Sequence, residues 1–189
     1  MRRSVAAFVT LWVLSLAVPA QASPVSVSIT NRTIDPRSVS IAMNFSSGVS
    51  WTNNGTRTHH VHVRTFTFAI DPGATSPTVV SLAAQRLSYT VDTNRTSRGI
   101  VNVPDEVDAT SKTLGTPFTL TWSHDGAQSS YDVQAKYPHA DGYVTLFHAT
   151  TDTTGTFLPP RRGTYKIRSR FTVGSFVASY SLPITIVVT

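Results

Sequence analysis

The chain has 189 residues, with 16 Lys and Arg against 10 Asp and Glu, six His and no Cys. Without Cys it can form no disulfide framework, no thiolate metal site and no Cys nucleophile. Only 14% of the residues are charged, which disfavours long helices with salt-bridged faces. The length allows one or two domains of ordinary size.

The first 22 residues have the pattern of a secretory signal peptide. Arg2 and Arg3 give a positive start, an apolar run covers 5–18, and Ala20-Gln-Ala22 is a small-residue cleavage site. The alternative is a membrane anchor, but the run is shorter than the roughly 20 residues that span a bilayer. We therefore predict an exported protein, secreted or held at the cell surface, without an integral membrane segment after cleavage.

The net charge is modest once this leader is removed. Loss of Arg2 and Arg3 lowers it from +6 to +4. Lys166, Arg168 and Arg170 alternate along a predicted strand and so share one face. A nucleic-acid or polyanion site on that face is the alternative. We interpret it as an ordinary solvated sheet face and predict no nucleic-acid partner, because the positive excess is small.

In chain order, the remaining residues alternate between apolar and polar with a period of two, which is typical of half-buried strands. Pro, Gly, Asn and Asp bound these short runs, which lie at 25–29, 39–41, 49–51, 87–91, 118–122, 131–133 and 165–167. Many short strands at this density favour antiparallel sandwiches or barrels. We predict an all-β protein made of two Greek-key β-sandwiches in tandem.

The segment 104–112 interrupts this pattern. It holds three of the ten acidic residues, Asp105, Glu106 and Asp108, and little apolar content. We interpret it as a solvated hinge between domains 23–103 and 113–189, whose end can merge into the next strand. A calcium site is the alternative, but three carboxylates are few for an ion that takes roughly six or more oxygen ligands.

A series of motifs marks the first domain. Val49-Ser-Trp51-Thr-Asn53 is followed by His59, eight residues after Trp51, and Tyr89 and Gly99 frame a later loop. With these motifs the block resembles the cupredoxins, the plastocyanin-like copper proteins. The resemblance implies a β-sandwich in which His59 stands at the first copper ligand.

The same resemblance assigns the other three copper ligands of the family to Val91, Asn94 and Ser97. The family has Cys, His and Met at those positions, so all three are lost here. Because a blue-copper site depends on a thiolate, electron transfer by type 1 copper is excluded. We predict no cofactor and no metal.

The alternative is a metal-handling protein that uses His59 with His60 or His62. On a strand, His60 and His62 share one face and His59 lies on the other. Structural zinc normally takes four protein ligands and catalytic zinc three. We therefore favour a half-buried His59 and a solvent-facing pair, and keep a weak copper site as the second hypothesis.

The second domain carries another series of motifs. It contains Trp122 in an L-x-W strand, Tyr131 in a Y-x-V strand, and Tyr165 in a corner segment that continues to Arg168. Residues 113–189 thereby resemble fibronectin type III domains, which implies a buried Trp122 and a tyrosine corner at Tyr165. We predict a core formed by Trp122, Tyr131, Phe157 and Tyr165. The alternative is an aromatic strip for sugars or peptides, formed by Tyr137, Tyr143 and Phe147 with His139 and His148.

No catalytic constellation is recognisable. Ser123, His124 and Asp125 are the residue types of a catalytic triad, but a triad needs side chains that converge from separate segments. Glycine-rich phosphate loops and metalloprotease helices are also missing from the sequence. We predict no catalytic residues, and a secreted binding or structural module whose partner is an extracellular protein or glycan.

Overall fold

The described part of the chain is all β. The computed structural model describes residues 24–64, 66–92, 97–125 and 129–189, and within these ranges it consists of strands, turns and bends without a helix. Alternating burial along the strands confirms the predicted fold class. The predicted signal peptide lies outside the described residues. No helix of the described ranges is long and apolar enough to cross a membrane.

The strands between residues 25 and 103, which we call the first block, form two sheets. Their strand orders are β2-β1-β4 and β3-β8-β7-β5-β6, with parallel pairing of β1 to β4 and of β3 to β8. Isolated bridges add the segment 75–79 beside β4. The strands are β1 (Val25–Ile29), β2 (Ile34–Asp35), β3 (Ser38–Ser40), β4 (Val49–Asn53), β5 (His59–Val63), β6 (Phe66–Ile70), β7 (Gln85–Val91) and β8 (Arg98–Val103).

Aromatic packing explains the frame of the first block. Trp51 and Tyr89 are buried with their ring centroids 5.2 Å apart in an edge-to-face arrangement. Gly99 pairs with Tyr89 across β7 and β8. A Cβ atom at position 99 would collide with the Tyr89 ring and with the carbonyl oxygen of Arg37. The spacing of Tyr89 and Gly99 therefore has a steric cause.

The second block forms a sandwich of a three-stranded and a larger sheet. The orders are β14-β11-β9 and β10-β17-β15-β12-β13, with β16 paired to β15. This division of the strands between two sheets is that of an immunoglobulin-like sandwich. The strands are β9 (Glu106–Val107), β10 (Ser111–Lys112), β11 (Phe118–Thr121), β12 (Ser130–Lys136), β13 (Val144–Thr150), β14 (Thr154–Phe157), β15 (Gly163–Val173), β16 (Phe176–Val177) and β17 (Ile184–Val188).

The predicted core of the second block is confirmed. Trp122, Tyr131, Phe157 and Tyr165 are all buried. The indole N–H of Trp122 donates to a carbonyl oxygen at 2.6 Å. The Tyr165 hydroxyl donates to the carbonyl oxygen of Arg161 at 2.7 Å. This bond, four residues back along the chain, is a tyrosine corner.

The segment 104–112, which we predicted to be a solvated hinge, contains two short strands and one buried residue. Residues 106–107 pair with β11, and residues 111–112 pair with β17. Asp105 is 4% exposed and accepts hydrogen bonds from the hydroxyls of Ser169 and Ser181. Acidic composition suggested exposure, whereas these two hydroxyls compensate for the burial of one carboxyl group.

The three acidic side chains of this segment also do not gather around a common point. Glu106 faces His124 at 3.0 Å, and Asp108 faces Lys112 at 2.6 Å, while Asp105 is buried. Each carboxyl group thus has its own protein partner. The calcium alternative lacks the converging oxygen ligands that this ion needs.

Further hydrogen bonds join the two blocks. The side-chain oxygen of Asn102 accepts a bond from the Leu182 amide at 2.8 Å. The Ala84 amide donates to the Trp122 carbonyl at 2.9 Å. One cluster of buried apolar residues includes side chains from both blocks. Backbone, side-chain and apolar contacts therefore all contribute to the junction.

We expect Tyr165→Phe to lower the free energy of unfolding by about 1–3 kcal/mol, because it leaves the Arg161 carbonyl without its hydroxyl donor. Urea denaturation followed by fluorescence measures the change. Tyr137→Phe is the matched control, since Tyr137 packs against Tyr165 and its hydroxyl has no hydrogen-bond partner in the described part of the chain. Equal losses in both variants would contradict the tyrosine corner.

A second expectation concerns the pH dependence of stability. Burial raises the pKa of Asp105 to about 6, although the hydroxyls of Ser169 and Ser181 act to lower it. The unfolded chain releases this proton near pH 3.8. The contribution of Asp105 to the free energy of unfolding therefore declines as pH rises from about 4 to about 6. The decline is about 3 kcal/mol for a pKa shift of this size.

Asp105→Asn should remove this dependence of the free energy of unfolding on pH, because the amide does not titrate, while its oxygen still accepts one of the two serine hydroxyls. Urea denaturation at several pH values between 4 and 7 compares the two proteins. The control is Asp108→Asn, because the pKa of Asp108 is lowered, chiefly by its hydrogen bond with Lys112, and its substitution leaves the slope in place. A wild-type protein with the same pH dependence as Asp105→Asn would refute a raised pKa.

Candidate functional site

Three of the four positions that the cupredoxin resemblance assigns to copper ligands line one pocket. His59 begins β5, Val91 ends β7, and Ser97 stands directly before β8. These residues line a pocket of about 550 Å³ at one end of the first block. Because β8, β7 and β5 are neighbours in one sheet, their ends meet there. Asn94 lies outside the described residues.

His59 is held from two sides inside this pocket. It is 1% exposed, its Nδ1 lies 2.9 Å from Oδ2 of Asp92, and its Nε2 lies 3.4 Å from Oδ1 of Asn31. Thr56 fixes the Asn31 amide, since its backbone N–H donates to that Oδ1 at 3.1 Å. Both ring nitrogens therefore face oxygen acceptors, and Nδ1 carries a hydrogen directed at the carboxylate.

Asp92 is the centre of this polar arrangement. Its carboxylate also accepts a hydrogen bond from the His60 backbone N–H at 2.9 Å and pairs with Arg57 at 3.3 Å. Desolvation acts to raise the pKa of Asp92, but the bonds from the His60 amide and the His59 ring, with the nearby positive charges, outweigh it and lower the pKa. Asp92 is therefore ionised at neutral pH and holds the imidazole in place.

The residues present do not fit a type 1 copper centre. Val91 and Ser97 stand where the thiolate and thioether ligands would be, and Nδ1 of His59 is directed at Asp92. A histidine that ligates a metal must present an unprotonated nitrogen to it. Within the described ranges, no group of three or more His, Cys, Asp or Glu side chains is placed to hold a metal ion.

His60 and His62 lie on the opposite side of β5. His60 is exposed, and Nδ1 of the half-buried His62 lies 3.0 Å from the Thr67 hydroxyl. The alternation of the strand predicted this division, although His59 is fully rather than half buried. A site that combines His59 with either of the other two is incompatible with the pleat of the strand.

The triad-like residues do not converge. Ser123 is buried, and its hydroxyl lies 3.0 Å from the carbonyl oxygens of Leu82 and Asp125. His124 is exposed and faces Glu106, which lies on β9. The imidazole is therefore paired with a different carboxylate, and the serine hydroxyl has a structural role.

The residues of the alternative aromatic strip are divided between core and surface. Tyr137 packs against Phe157 and Tyr165, and Phe147 packs against Trp122. These rings stabilise the sandwich and present no continuous face to a ligand. Tyr143 differs, because its ring lies below the guanidinium of Arg168. His148 is exposed and His139 lies in a turn.

The basic face of β15 has neighbours that the sequence analysis missed. Lys166, Arg168 and Arg170 alternate along the outward side of β15, as predicted. Arg86 on β7 lines the same groove as Arg168, although it belongs to the first block. Arg37 lines a groove next to it. No local sequence signal unites these residues, because the order of the strands brings them together.

Comparisons with known proteins assign no family to the chain. No family model matches it, and no curated protein matches it. Among solved structures it is similar to the FN1–FN3 domains of chicken CNTN1, with 11% identity, a TM-score of 0.34 and 72% of this chain covered. The chain spans 59% of the length of that structure. A score this low carries no assignment, so the fold rests on the strand orders given above.

We expect Asp92→Ala to lower the free energy of unfolding by about 1–3 kcal/mol near pH 6, because it leaves His59 Nδ1 and the His60 N–H without their acceptor. The pKa of Asp92 lies below 3.8. The contribution of Asp92 to the free energy of unfolding is therefore fully present above pH 3.8 and is lost as pH falls through the lowered pKa.

Urea denaturation at pH 6 and near pH 3 tests this dependence. Asp141→Ala, which removes an exposed carboxylate, controls for the loss of one negative charge. A difference between wild type and Asp92→Ala that is the same at both pH values would contradict the assigned role.

Proposed function

We propose that the protein is an exported, non-enzymatic binding or structural module that acts through its surface. The observation that carries this proposal is the set of side chains and hydrogen bonds in the first-block pocket. Nδ1 of His59 donates to Asp92 there, and its Nε2 lies 3.4 Å from Oδ1 of Asn31, beside Val91 and Ser97. In this proposal, the Asp92 carboxylate fixes the His59 imidazole at the place where a cupredoxin would hold its copper ion.

In this proposal the first block is a cupredoxin-like scaffold that has lost its copper ligands. The lining of the pocket supports the relationship to cupredoxins. Motif spacing alone assigned the positions 59, 91 and 97 to copper ligands, and all three residues line one pocket. The paired positions of Tyr89 and Gly99 support it as well. Its bounds are 23–103, after a signal peptide at 1–22 that would direct export.

The second block, 113–189, is in this proposal a fibronectin type III-like domain. Its support is the distribution of strands between the two sheets and the tyrosine corner at Tyr165. The segment 104–112 would then be the connection between the domains, although its residues pair with strands of the second sandwich. Such sandwiches present ligands with loops and outward sheet faces.

The lack of an enzymatic role is also part of the proposal. Ser123 is engaged by carbonyl oxygens, and His124 pairs with Glu106 instead of the serine. Acyl transfer by a triad needs a base within hydrogen-bond reach of the nucleophile and an acidic group behind it. This arrangement supplies neither to Ser123.

A copper titration by equilibrium dialysis tests the proposal against the metal-handling alternative. We expect no sub-micromolar copper site that is lost in the His59→Ala, His60→Ala, His62→Ala triple variant. The reason is that Nδ1 of His59 faces Asp92 and the other two imidazoles lie across the strand. Sub-micromolar binding that disappears in the triple variant would overturn the proposal.

A restored site serves as the positive control. Val91→Cys, Asn94→His and Ser97→Met together supply the ligands that the cupredoxin resemblance assigns to these positions, and Asp92→Ala in the same variant releases Nδ1 of His59. We expect copper to bind this variant with a strong thiolate-to-copper absorption in visible light, because Cys and His ligands would join His59. A folded variant without this absorption would count against the cupredoxin scaffold and leave the non-metal function in place.

A further inference from the structure

Two grooves on the outside of the protein meet at Arg86. One, of about 620 Å³, follows the outward side of β3, β8 and β7 and is lined by Arg37, Arg86 and Arg98. The other, of about 470 Å³, lies where β7 meets the second block and is lined by Arg86 and Arg168. Arg86 and Ser88 belong to both, so the two form one surface, which we call the arginine groove.

The junction between the blocks fixes the middle of this groove. The Arg86 backbone N–H approaches the Ser179 carbonyl at 3.4 Å, and the two residues form an isolated β-bridge. Asp105, bonded to Ser169 and Ser181, lies at the same junction. Side chains from both sandwiches therefore reach a ligand in a defined relative position.

Arg168 is held ready for an anion. Its Nε and Nη2 donate to Oε1 of Gln134 at 3.0 and 2.8 Å. Its guanidinium lies 3.7 Å from the ring centroid of Tyr143 and 4.3 Å from that of Tyr180. A guanidinium has more N–H donors than these two bonds use. Because neighbours restrain the side chain, little conformational entropy is lost when an anion binds.

Within the described ranges, no carboxylate neutralises the charge of Arg37 or Arg86. Arg37 and Arg86 are exposed, and neither forms an ion pair with another residue of the described ranges. Arg170 is different, because Asp132 accepts bonds from its Nε and Nη2 at 3.1 and 2.9 Å. The groove therefore attracts anions mainly through Arg37, Arg86 and Arg168.

The lining favours an acidic polysaccharide over a nucleic acid. Serine side chains alternate with the arginines, with Ser38 and Ser88 in the first groove and Ser179 in the second. Hydroxyls suit the hydroxyl groups of sugars, and guanidinium groups suit carboxylates and sulfates. Single-stranded nucleic acids instead rely on aromatic faces for base stacking, whereas guanidinium groups lie over the rings of Tyr143 and Tyr180.

We propose that the arginine groove binds an acidic polysaccharide along the junction of the two sandwiches. Its carboxylate or sulfate groups would lie on Arg37, Arg86 and Arg168, and its hydroxyls would bond to the serine side chains of the lining. The inference rests on the proposed function, since it names the ligand class of a binding module. It differs from the sequence interpretation of β15 as an ordinary solvated face.

Isothermal titration calorimetry of the purified protein tests this inference with four probes. Heparin supplies sulfates, polygalacturonate supplies carboxylates, dextran is the neutral control, and a single-stranded oligothymidylate represents nucleic acid. We expect heparin or polygalacturonate to bind, with an affinity that falls as NaCl rises. Which of the two binds identifies the anionic group, and either result supports the inference. Dextran should not bind.

Two double variants locate the site. Arg86→Gln with Arg168→Gln, and Arg37→Gln with Arg86→Gln, should each weaken binding by about tenfold or more, because each removes two charge-assisted contacts. The second variant retains Arg168, so it remains informative if loss of Arg168 impairs folding. Arg32→Gln with Arg162→Gln removes the same charge from exposed positions outside the groove and should leave affinity within about twofold of wild type.

Several results would overturn the inference. These are the absence of binding to both acidic polysaccharides, an equal loss in the control variant, or an oligothymidylate that binds as tightly as the polysaccharides. None of them would decide the proposed function, which depends on the copper titration. A protein that binds no acidic polysaccharide and no copper would still be a non-metal module with another ligand.

Discussion

The buried carboxyl group of Asp105, bonded to the hydroxyls of Ser169 and Ser181, is the interaction on which the arrangement of the protein depends. A polar group that is removed from water must find protein partners, and these partners lie on β15 and just before β17. The end of β8 is thereby tied to the second sandwich. Because β7 pairs with β8, the outward side of β7 is brought beside β15. The buried, hydrogen-bonded carboxyl group of Asp105 thus determines which side chains of β7 and β15 lie side by side on the outer surface.

The first-block pocket illustrates how a buried imidazole is accommodated by protein partners alone. A buried imidazole needs hydrogen-bond partners whether or not a metal is present. In this protein Asp92 supplies the partner, and it directly follows Val91 at the end of β7. The same carboxylate accepts the His60 backbone N–H, so it also closes the turn beside β5. His59 is thereby part of the packing of the sandwich.

Alternation along the chain was sufficient to predict the strands, the fold class and the inward direction of His59. Local motifs were sufficient for the tyrosine corner, because Tyr165 and Arg161 are close in sequence. The partners of His59 and Asp105 were not predictable in this way. They are 33 and up to 76 residues away, and no periodicity links residues across such distances. Composition was misleading for Asp105, since an acidic residue is usually exposed, as Asp108 is, and Asp105 is buried.

The two buried tryptophans give the two sandwiches separate optical reporters. Trp51 lies in the core of the first block beside Tyr89, and Trp122 lies in the core of the second block beside Phe147. The third tryptophan, Trp12, belongs to the predicted leader. In a chain prepared without the predicted leader, replacing either core indole with Phe would leave an indole fluorophore in one sandwich alone. The loosening of each sandwich could then be followed independently, and the coupling energy across the junction becomes a measurable quantity.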